Sequence, residues 1–372
     1  MRLLLTLAGI CVVSFTGTYL RAEAFQIIAA ETPMGSGGGQ GIRRYVVYET
    51  FGTFHQLQPI AGNLVDDPAG LAMKTPAELF VGNRAAHTGN STIRRFHLTG
   101  SQFSPADVIS GNHVTDCHQL AFDPVSGELF QTNWRSGKLS RFVFDAAGTA
   151  VPNGVIQMPD SREQLGVAVR PADRQLFVSD YDFVRRFLPN PDGTYSFVGN
   201  FSVQAGEFYH FMKFRADELY LAAFGTNRIL RFAFDSQGNP VLKDAIPATG
   251  AVDMAFSPDE QEMFATNHRN GGIMRYRYNQ LADTWTQHGD VLPTPMMGGI
   301  VVTSIACSLF ADLTGDCQVN LDDLYVLAGQ WLSQGDPQYC PWSADVGGED
   351  CHVTIEDFAV LASEWLLQIG SP

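Results

Sequence analysis

The chain has 372 residues, 45% of them hydrophobic, and 39 acidic against 24 basic side chains leave a net charge of −15. That balance excludes a nucleic-acid surface, which needs clustered basic residues. Beyond its first twenty residues no stretch approaches the apolar length that spans a bilayer, and the chain is long enough to bury a large core with a small unit beside it.

Residues 1–24 read as a secretory signal: Arg2 is the charged start, residues 3–20 are mostly apolar, and Ala22-Glu-Ala24 offers a small-residue cleavage site. The mature chain then begins at Phe25, in a secreted, extracellular or cell-envelope setting, with a retained membrane anchor as the alternative. Export permits disulfides. Cys11 leaves with the signal, and Cys307, Cys317, Cys340 and Cys351 cluster near the C-terminus with three pairings open to them. Cys117 is left over and reads as a buried thiol. Residues 25–41, Gly-rich from position 31, read as a flexible lead-in.

Residues 42–306 carry a repeat. The phrase apolar-x-Arg-aromatic stands at Ile42-Arg-Arg44-Tyr45, Ile93-Arg-Arg95-Phe96, Leu139-Ser-Arg141-Phe142, Val184-Arg-Arg186-Phe187, Ile229-Leu-Arg231-Phe232 and Ile273-Met-Arg275-Tyr276, at intervals of 51, 46, 45, 45 and 44 residues. Upstream of five copies come two apolar strands joined by a polar turn, as in Leu120-Ala-Phe-Asp-Pro124 with Glu128-Leu-Phe130. Downstream come a Gly-containing turn and one more short strand. Four short strands per unit of about 45 residues predict the blades of a β-propeller. The first copy lacks its upstream strands, and residues 299–305 have strand character without a downstream partner, so strands from both ends of the body are predicted to close a sixth blade. An Arg at the same place in every blade is predicted to brace neighbouring blades or turns. The body resembles six-bladed propellers of the NHL-repeat and gluconolactonase-like kind; the likeness is architectural, and no site residue is carried over from it.

In that register the innermost strands begin at one mouth of the central channel, and the loops between second and third strands open beside them. Asp116, His118 and Gln119, then His210, then Asp253 start inner strands, where Gly70, Gly166 and Gly299 start the others; Asn83, Asn133, Asp180 and Asn267-His268 lie in the loops. Asp116, His118, Asp180, His210, Asp253 and Asn267 are the candidate ligand-binding residues. Two imidazoles and a carboxylate suit a divalent metal or acid–base chemistry at the channel mouth. Trp134, Tyr181, Phe224 and His268 occupy corresponding loops and could stack on sugar rings. Cys117 and His118 are strand neighbours that point to opposite faces, which speaks against a thiol nucleophile paired with that His. No Gly-x-Ser-x-Gly, His-Glu-x-x-His or phosphate-cradling Gly loop is present.

Residues 307–372 contain a duplication offset by 34 residues, with Asp323 and Trp331 answered by Asp357 and Trp365. Asp312, Thr314, Asp316, the Gln318 carbonyl, Asn320 and Asp323 stand at the oxygen-ligand positions of a twelve-residue calcium loop. Asp350, Thr354 and Asp357 answer them in the second copy, where an extra residue leaves Asp345 or no side chain as first ligand. From Asp312 onward there are eleven acidic residues and no Lys or Arg, which again favours cations. Each loop feeds an amphipathic helix with an apolar stripe: Leu321, Leu324, Leu327, Ala328, Trp331 and Leu332, then Ile355, Phe358, Leu361, Ala362, Trp365 and Leu366. Two such stripes can bury each other. The segment resembles a type I dockerin of the planctomycete-type tails, with Cys317 and Cys351 where Gly is usual. The resemblance implies two Ca2+ sites and a partner, a cohesin-like or cell-surface protein.

The expected fold is therefore all-β, a six-bladed propeller followed by a small α-helical dockerin-like domain. The first functional reading is a secreted binding module for a glycan or protein. The alternative is an extracellular carbohydrate-active hydrolase, lactonase or lyase with a channel-mouth metal, and a third reading is a structural envelope propeller.

Overall fold

A computed structural model describes residues 24–31, 41–48, 54–60, 65, 67–84, 91–99, 102–159, 163–291, 297–304, 319–332 and 352–365. The predicted signal up to residue 23, the clustered cysteines, and the loop positions Asp312, Thr314, Asp316, Gln318, Asp345 and Asp350 lie outside the described residues.

Among the described residues, twenty-four strands form six four-stranded antiparallel sheets. In chain order the first blade is β4 (Pro68–Thr75), β5 (Glu78–Asn83), β6 (Thr92–Thr99) and β7 (Gln102–Ile109). The second is β8 (Cys117–Asp123), β9 (Glu128–Asn133), β10 (Lys138–Phe144) and β11 (Ala150–Gln157). The third is β12 (Val167–Val169), β13 (Leu176–Ser179), β14 (Val184–Pro189) and β15 (Tyr195–Phe201). The fourth is β16 (Tyr209–Arg215), β17 (Glu218–Ala223), β18 (Arg228–Phe234) and β19 (Pro240–Pro247). The fifth is β20 (Ala251–Phe256), β21 (Glu262–Asn267), β22 (Ile273–Asn279) and β23 (Thr284–Val291). The closing blade takes its innermost strand, β24 (Met297–Ser304), from the far end of the body and β1 (Ala24–Glu31), β2 (Ile42–Tyr48) and β3 (Phe54–Ile60) from the near end. The six innermost strands pack one against the next in a closed ring.

One expectation is corrected. Residues 25–31 are not lead-in but most of β1, paired with β2 on one edge and β24 on the other. Phe25, Ile27, Ile28, Ala29 and Ala30 are all fully buried. A strand covered on both faces has no polar alternation to reveal it, and this one follows an apolar leader directly.

The Arg-aromatic phrase lies on the third strand of every blade, and four of its arginines hydrogen-bond to the next blade. Arg95 donates to the Gly148 carbonyl (2.6 Å), Arg141 to that of Gly193 (2.8 Å), Arg186 to that of Gly238 (2.5 Å) and Arg231 to that of Asp283 (3.0 Å). Each acceptor sits in the outer hairpin turn of the following blade, at a residue with positive φ: Gly148 at 78°, Gly193 at 80°, Gly238 at 74° and Asp283 at 52°. Left-handed backbone there turns the carbonyl back toward the incoming guanidinium, and Gly holds that conformation without strain. Arg95, Arg141, Arg231 and Arg275 also ion-pair with Glu78, Glu128, Glu218 and Glu262 of their own second strands. Bracing is thus the role of these arginines, as the repeat suggests.

In the tail, α1 (Leu321–Gln330) and α2 (Ile355–Glu364) start alike. The Asp323 carboxylate accepts the Asn320 N–H (2.8 Å) and the Asp357 carboxylate the Thr354 N–H (2.6 Å), both carboxylates being buried. An acidic side chain three residues into a helix satisfies an N–H that the helix cannot. Val319 and Val353 are fully buried, and the Leu332 N–H donates to the Val353 carbonyl at 2.9 Å. The stripes are buried only in part: Leu327 and Leu361 are covered, while Leu321, Trp331, Leu332, Ile355 and Phe358 are exposed.

Candidate functional site in the channel mouth

The innermost strands set what fills the channel. At the position just before the first core residue they carry Gly299, Gly70, Gln119, Gly166, Phe211 and Asp253 in order around the ring. A Cβ on Gly70, Gly166 or Gly299 would overlap backbone of the next blade, so bare glycine lets adjacent inner strands approach. The three large residues block the throat. The side-chain amide oxygen of fully buried Gln119, Oε1, accepts the Val167 N–H of the third blade (2.6 Å). Both Asp253 carboxylate oxygens are likewise engaged, by the N–H groups of Met254 and Ile300 (2.9 Å each), the second of these across the ring closure. Burial raises the Asp253 carboxyl to about 6.

Hydroxyls reinforce the same seams. Thr132 donates to the Leu165 carbonyl (3.0 Å), Thr266 to that of Gly298 (2.7 Å), and Ser179 to that of His210. Gly82 takes the corresponding place in the first blade, and a Cβ there would strike the Cys117 sulfur. Cys117 is fully buried and burial pushes its thiol up. It packs in the core, so the thiol-nucleophile reading finds no support.

Above this plug the predicted histidines meet. His118 of the second blade and His210 of the fourth have ring centroids 6.3 Å apart, although a whole blade separates them in sequence. Gly166 of the intervening blade lies under the His210 carbonyl with no side chain to part them. Phe211 packs edge-on against His118 at 5.2 Å. Burial, then Arg84, then His210 hold the His118 imidazole well below its usual range; a hydrogen bond to the Leu165 carbonyl opposes this. His210 falls to about 3, through burial first and then His268 and Arg84. Both rings are therefore neutral at ordinary pH. Among the described residues the Nδ1 atom of each is shielded and without a partner, and His210 Nε2, also without one, is not sealed from solvent.

An aromatic belt surrounds the pair. Trp134 lies 5.9 Å from His118, Phe224 lies 5.3 Å from His210 and 6.4 Å from His268, and Tyr181 contacts Phe208 at 5.7 Å. The second-to-third-strand loops come together here by a recurring backbone bond: Arg84 to Asp67, Trp134 to Asp116, Phe224 to Phe208 and His268 to Gly250. The accepting residues all have positive φ, at 51°, 51°, 47° and 67°. For Phe208, bulky and 47% exposed, that is a sparsely populated conformation held at the rim of a cleft.

Asp180 and Asn267, predicted beside the histidines, bond to the backbone of their own loops. Asp180 accepts from the N–H groups of Asp182 and Phe183 and pairs with Arg185. Asn267 accepts from the N–H groups of Arg269 and Asn270. Asp116, whose carboxyl is raised by burial, takes the left-handed position before β8. Among the described residues, no three His, Cys, Asp or Glu side chains are grouped to hold a metal ion. Sequence reasoning passed over Phe211, Phe208, Arg135 and Arg269; the last two follow Trp134 and His268 directly, and that shared offset was the available signal.

No family model matches the chain, and no curated protein matches it. Solved structures do. The periplasmic gluconolactonase of Pseudomonas aeruginosa superposes with a TM-score of 0.59 at 12% identity, over 76% of this chain and 99% of its own. A Bacteroides uniformis protein with a provisional 6-phosphogluconolactonase name gives 0.56 at 18%, over 74% and 84%. The nidogen/laminin complex gives 0.56 at 13%, over 75% and 98%. These likenesses establish the fold: the body is a six-bladed β-propeller with gluconolactonase-like structural neighbours.

Proposed function

We propose that this protein is an extracellular carbohydrate-active hydrolase that opens sugar lactones or esters in the propeller's channel mouth. The observation that carries the reading is the neutral His210 imidazole, its Nε2 not sealed from solvent, in a funnel ringed by Trp134, Tyr181, Phe224 and His268. Flat apolar rings are the surface on which a sugar ring stacks. A neutral imidazole can donate an Nε2–H hydrogen bond to a carbonyl oxygen as negative charge develops there. Water adds to the carbonyl carbon, the ring C–O bond breaks, the leaving oxygen takes a proton from that water, and the product is the hydroxy acid. His118 acts through His210, holding its ring in place by packing. The lactonase names among the structural neighbours favour this reading over simple display.

Replacing His210 by Ala should lower kcat/KM toward aldonolactones by about a hundredfold. Since His210 stays neutral until pH falls toward 3, turnover should show no loss between pH 7.5 and 5. Unchanged turnover in the variant, or a limb near pH 6.5 that vanishes with it, would count against the assignment. A chelator arm reveals a metal-assisted reaction. The binding reading draws on the same belt, and saturable sugar binding with no turnover would favour it.

The tail is proposed to be a dockerin-like Ca2+ module reaching a cohesin-like or cell-surface partner. Its duplication and the matched Asp323 and Asp357 hydrogen bonds support this. Calcium should raise the melting temperature of a tail transition and a chelator should lower it; a transition indifferent to both would remove the proposal.

A further inference from the structure

Most arginines of the blades are held by carboxylates: Arg84 by Asp67, Arg95 by Glu78, Arg141 by Glu128, Arg185 by Asp180, Arg228 by Glu207 and Arg275 by Glu262. Two at the funnel rim differ. Arg135 and Arg269 are exposed, and among the described residues neither guanidinium makes an ion pair or a hydrogen bond. Each lies instead over a ring of the aromatic belt, Arg135 with its guanidinium carbon 3.9 Å from the Trp134 centroid and Arg269 5.1 Å from that of Phe224. Arg135 is set there by a left-handed backbone, φ 66°. An aromatic face orients a guanidinium while leaving its N–H fork unused.

Their places in the ring matter as much as their chemistry. Arg135 belongs to the loop between β9 and β10, Arg269 to the loop between β21 and β22. Arg269 leans over Phe224 of the fourth blade, so the two arginines stand at the two ends of the row Trp134, His118, His210 and Phe224. In a chain of net charge −15, two cations that no carboxylate among the described residues bonds, set beside stacking surfaces, select for anions. Two at the ends of one row of rings select for two anionic groups held apart. Asp116 near Arg135 and Glu163 near Tyr181 are acids on this side, and neither is within ion-pair distance of Arg135.

We propose that the funnel takes an oligosaccharide carrying carboxylate or sulfate groups on separate sugar rings. Arg135 and Arg269 each form a forked hydrogen-bonded pair with one such group, while Trp134 and Phe224 stack on the adjoining sugars and the intervening linkage lies over His210. Only this last placement rests on the hydrolase reading; the charge selection stands without it.

The test is equilibrium binding to the full chain by calorimetry, using tetrasaccharides that are uronic-acid based, sulfated or neutral, together with a uronic acid monosaccharide. At least one anionic tetrasaccharide should bind about tenfold or more tighter than the neutral one and weaken with added salt; which one does so identifies the group. Arg135→Gln and Arg269→Gln should each reduce that affinity about tenfold and together abolish the preference, with melting temperatures unchanged. Equal binding of neutral and anionic tetrasaccharides, no loss in either variant, or a monosaccharide binding as tightly as the tetrasaccharide would overturn the proposal. Measured in parallel on His210→Ala, the preference should persist, so that a failure of the hydrolase reading and a failure of the charge selection are told apart.

Discussion

Gly166 shows how much one missing methyl group decides here. His118 and His210 meet because the blade between them offers no Cβ where the His210 carbonyl and the Ser179 hydroxyl lie. Gly166→Ala forces backbone and hydroxyl apart and should cost about 1–3 kcal/mol, the usual range for overpacking. Denaturant unfolding would measure that loss. Sugar turnover or binding should fall with it, since the displaced strand carries His210. Retained stability together with retained function would show that the seam tolerates the methyl group and that the approach of the two rings is not controlled there. Reading His118 and His210 as funnel residues was possible from sequence because both start inner strands; their meeting across a blade was not, because it depends on the smallness of a residue far from either.

At the scale of the element, the Arg-aromatic strand is the unit of cohesion between blades. Arg141 joins three things: Glu128 on its own blade at 2.7 Å, the Gly193 carbonyl at 2.8 Å, and the Tyr195 ring at 5.0 Å on the next. The Glu128 side chain is only 5% exposed, so removing its cation leaves a buried charge. Arg141→Met should destabilise the protein by about 3–5 kcal/mol, read as a lower midpoint in urea, whereas Arg141→Met with Glu128→Gln should recover part of it. Equal losses in the single and double variants would argue that shape alone matters at this position. The repeat made this strand legible: a period near 45 residues, a charged residue at a fixed offset and a glycine turn downstream all describe the same joint. Strand β1 was illegible for the opposite reason. Buried on both faces and following an apolar leader, it lacks the alternation that marks a strand.

For the whole molecule, closure of the ring is the structural event on which the funnel depends. Asp253 is fully buried and its carboxylate takes the Ile300 N–H of β24, so a charged group lies across the seam between the last blade in the chain and the closing one. With its carboxyl raised to about 6 from an ordinary 3.8, the folded state holds a proton more firmly than the unfolded chain. The Asp253 contribution is therefore fully present below about pH 4 and is lost as pH rises through about 6. The two lowered histidines act in the opposite sense, contributing stability above pH 6.5 that is lost as pH falls, for His210 through about 3. Comparison with Asp253→Asn isolates the first effect. From pH 4 to 7 the wild type should lose about 2 kcal/mol relative to the variant, measured by denaturant unfolding at each pH. A difference that does not change with pH would mean that the carboxylate is charged throughout.

What the sequence by itself determined is whatever repeats. The blade number, the strand order, the closure from both ends and the role of the repeated arginines follow from local pattern, because each blade is a sheet of neighbours in the chain and its turns depend on residues a few positions apart. The matched Asp323 and Asp357 helix starts belong to the same class. What only the tertiary structure decided is the convergence at the channel mouth. Which residues plug the throat, which imidazole is left accessible, and which arginines end the row of rings depend on contacts between blades more than 30 residues apart. Those contacts are set by ring geometry and by three glycines, and no periodicity along the chain records them.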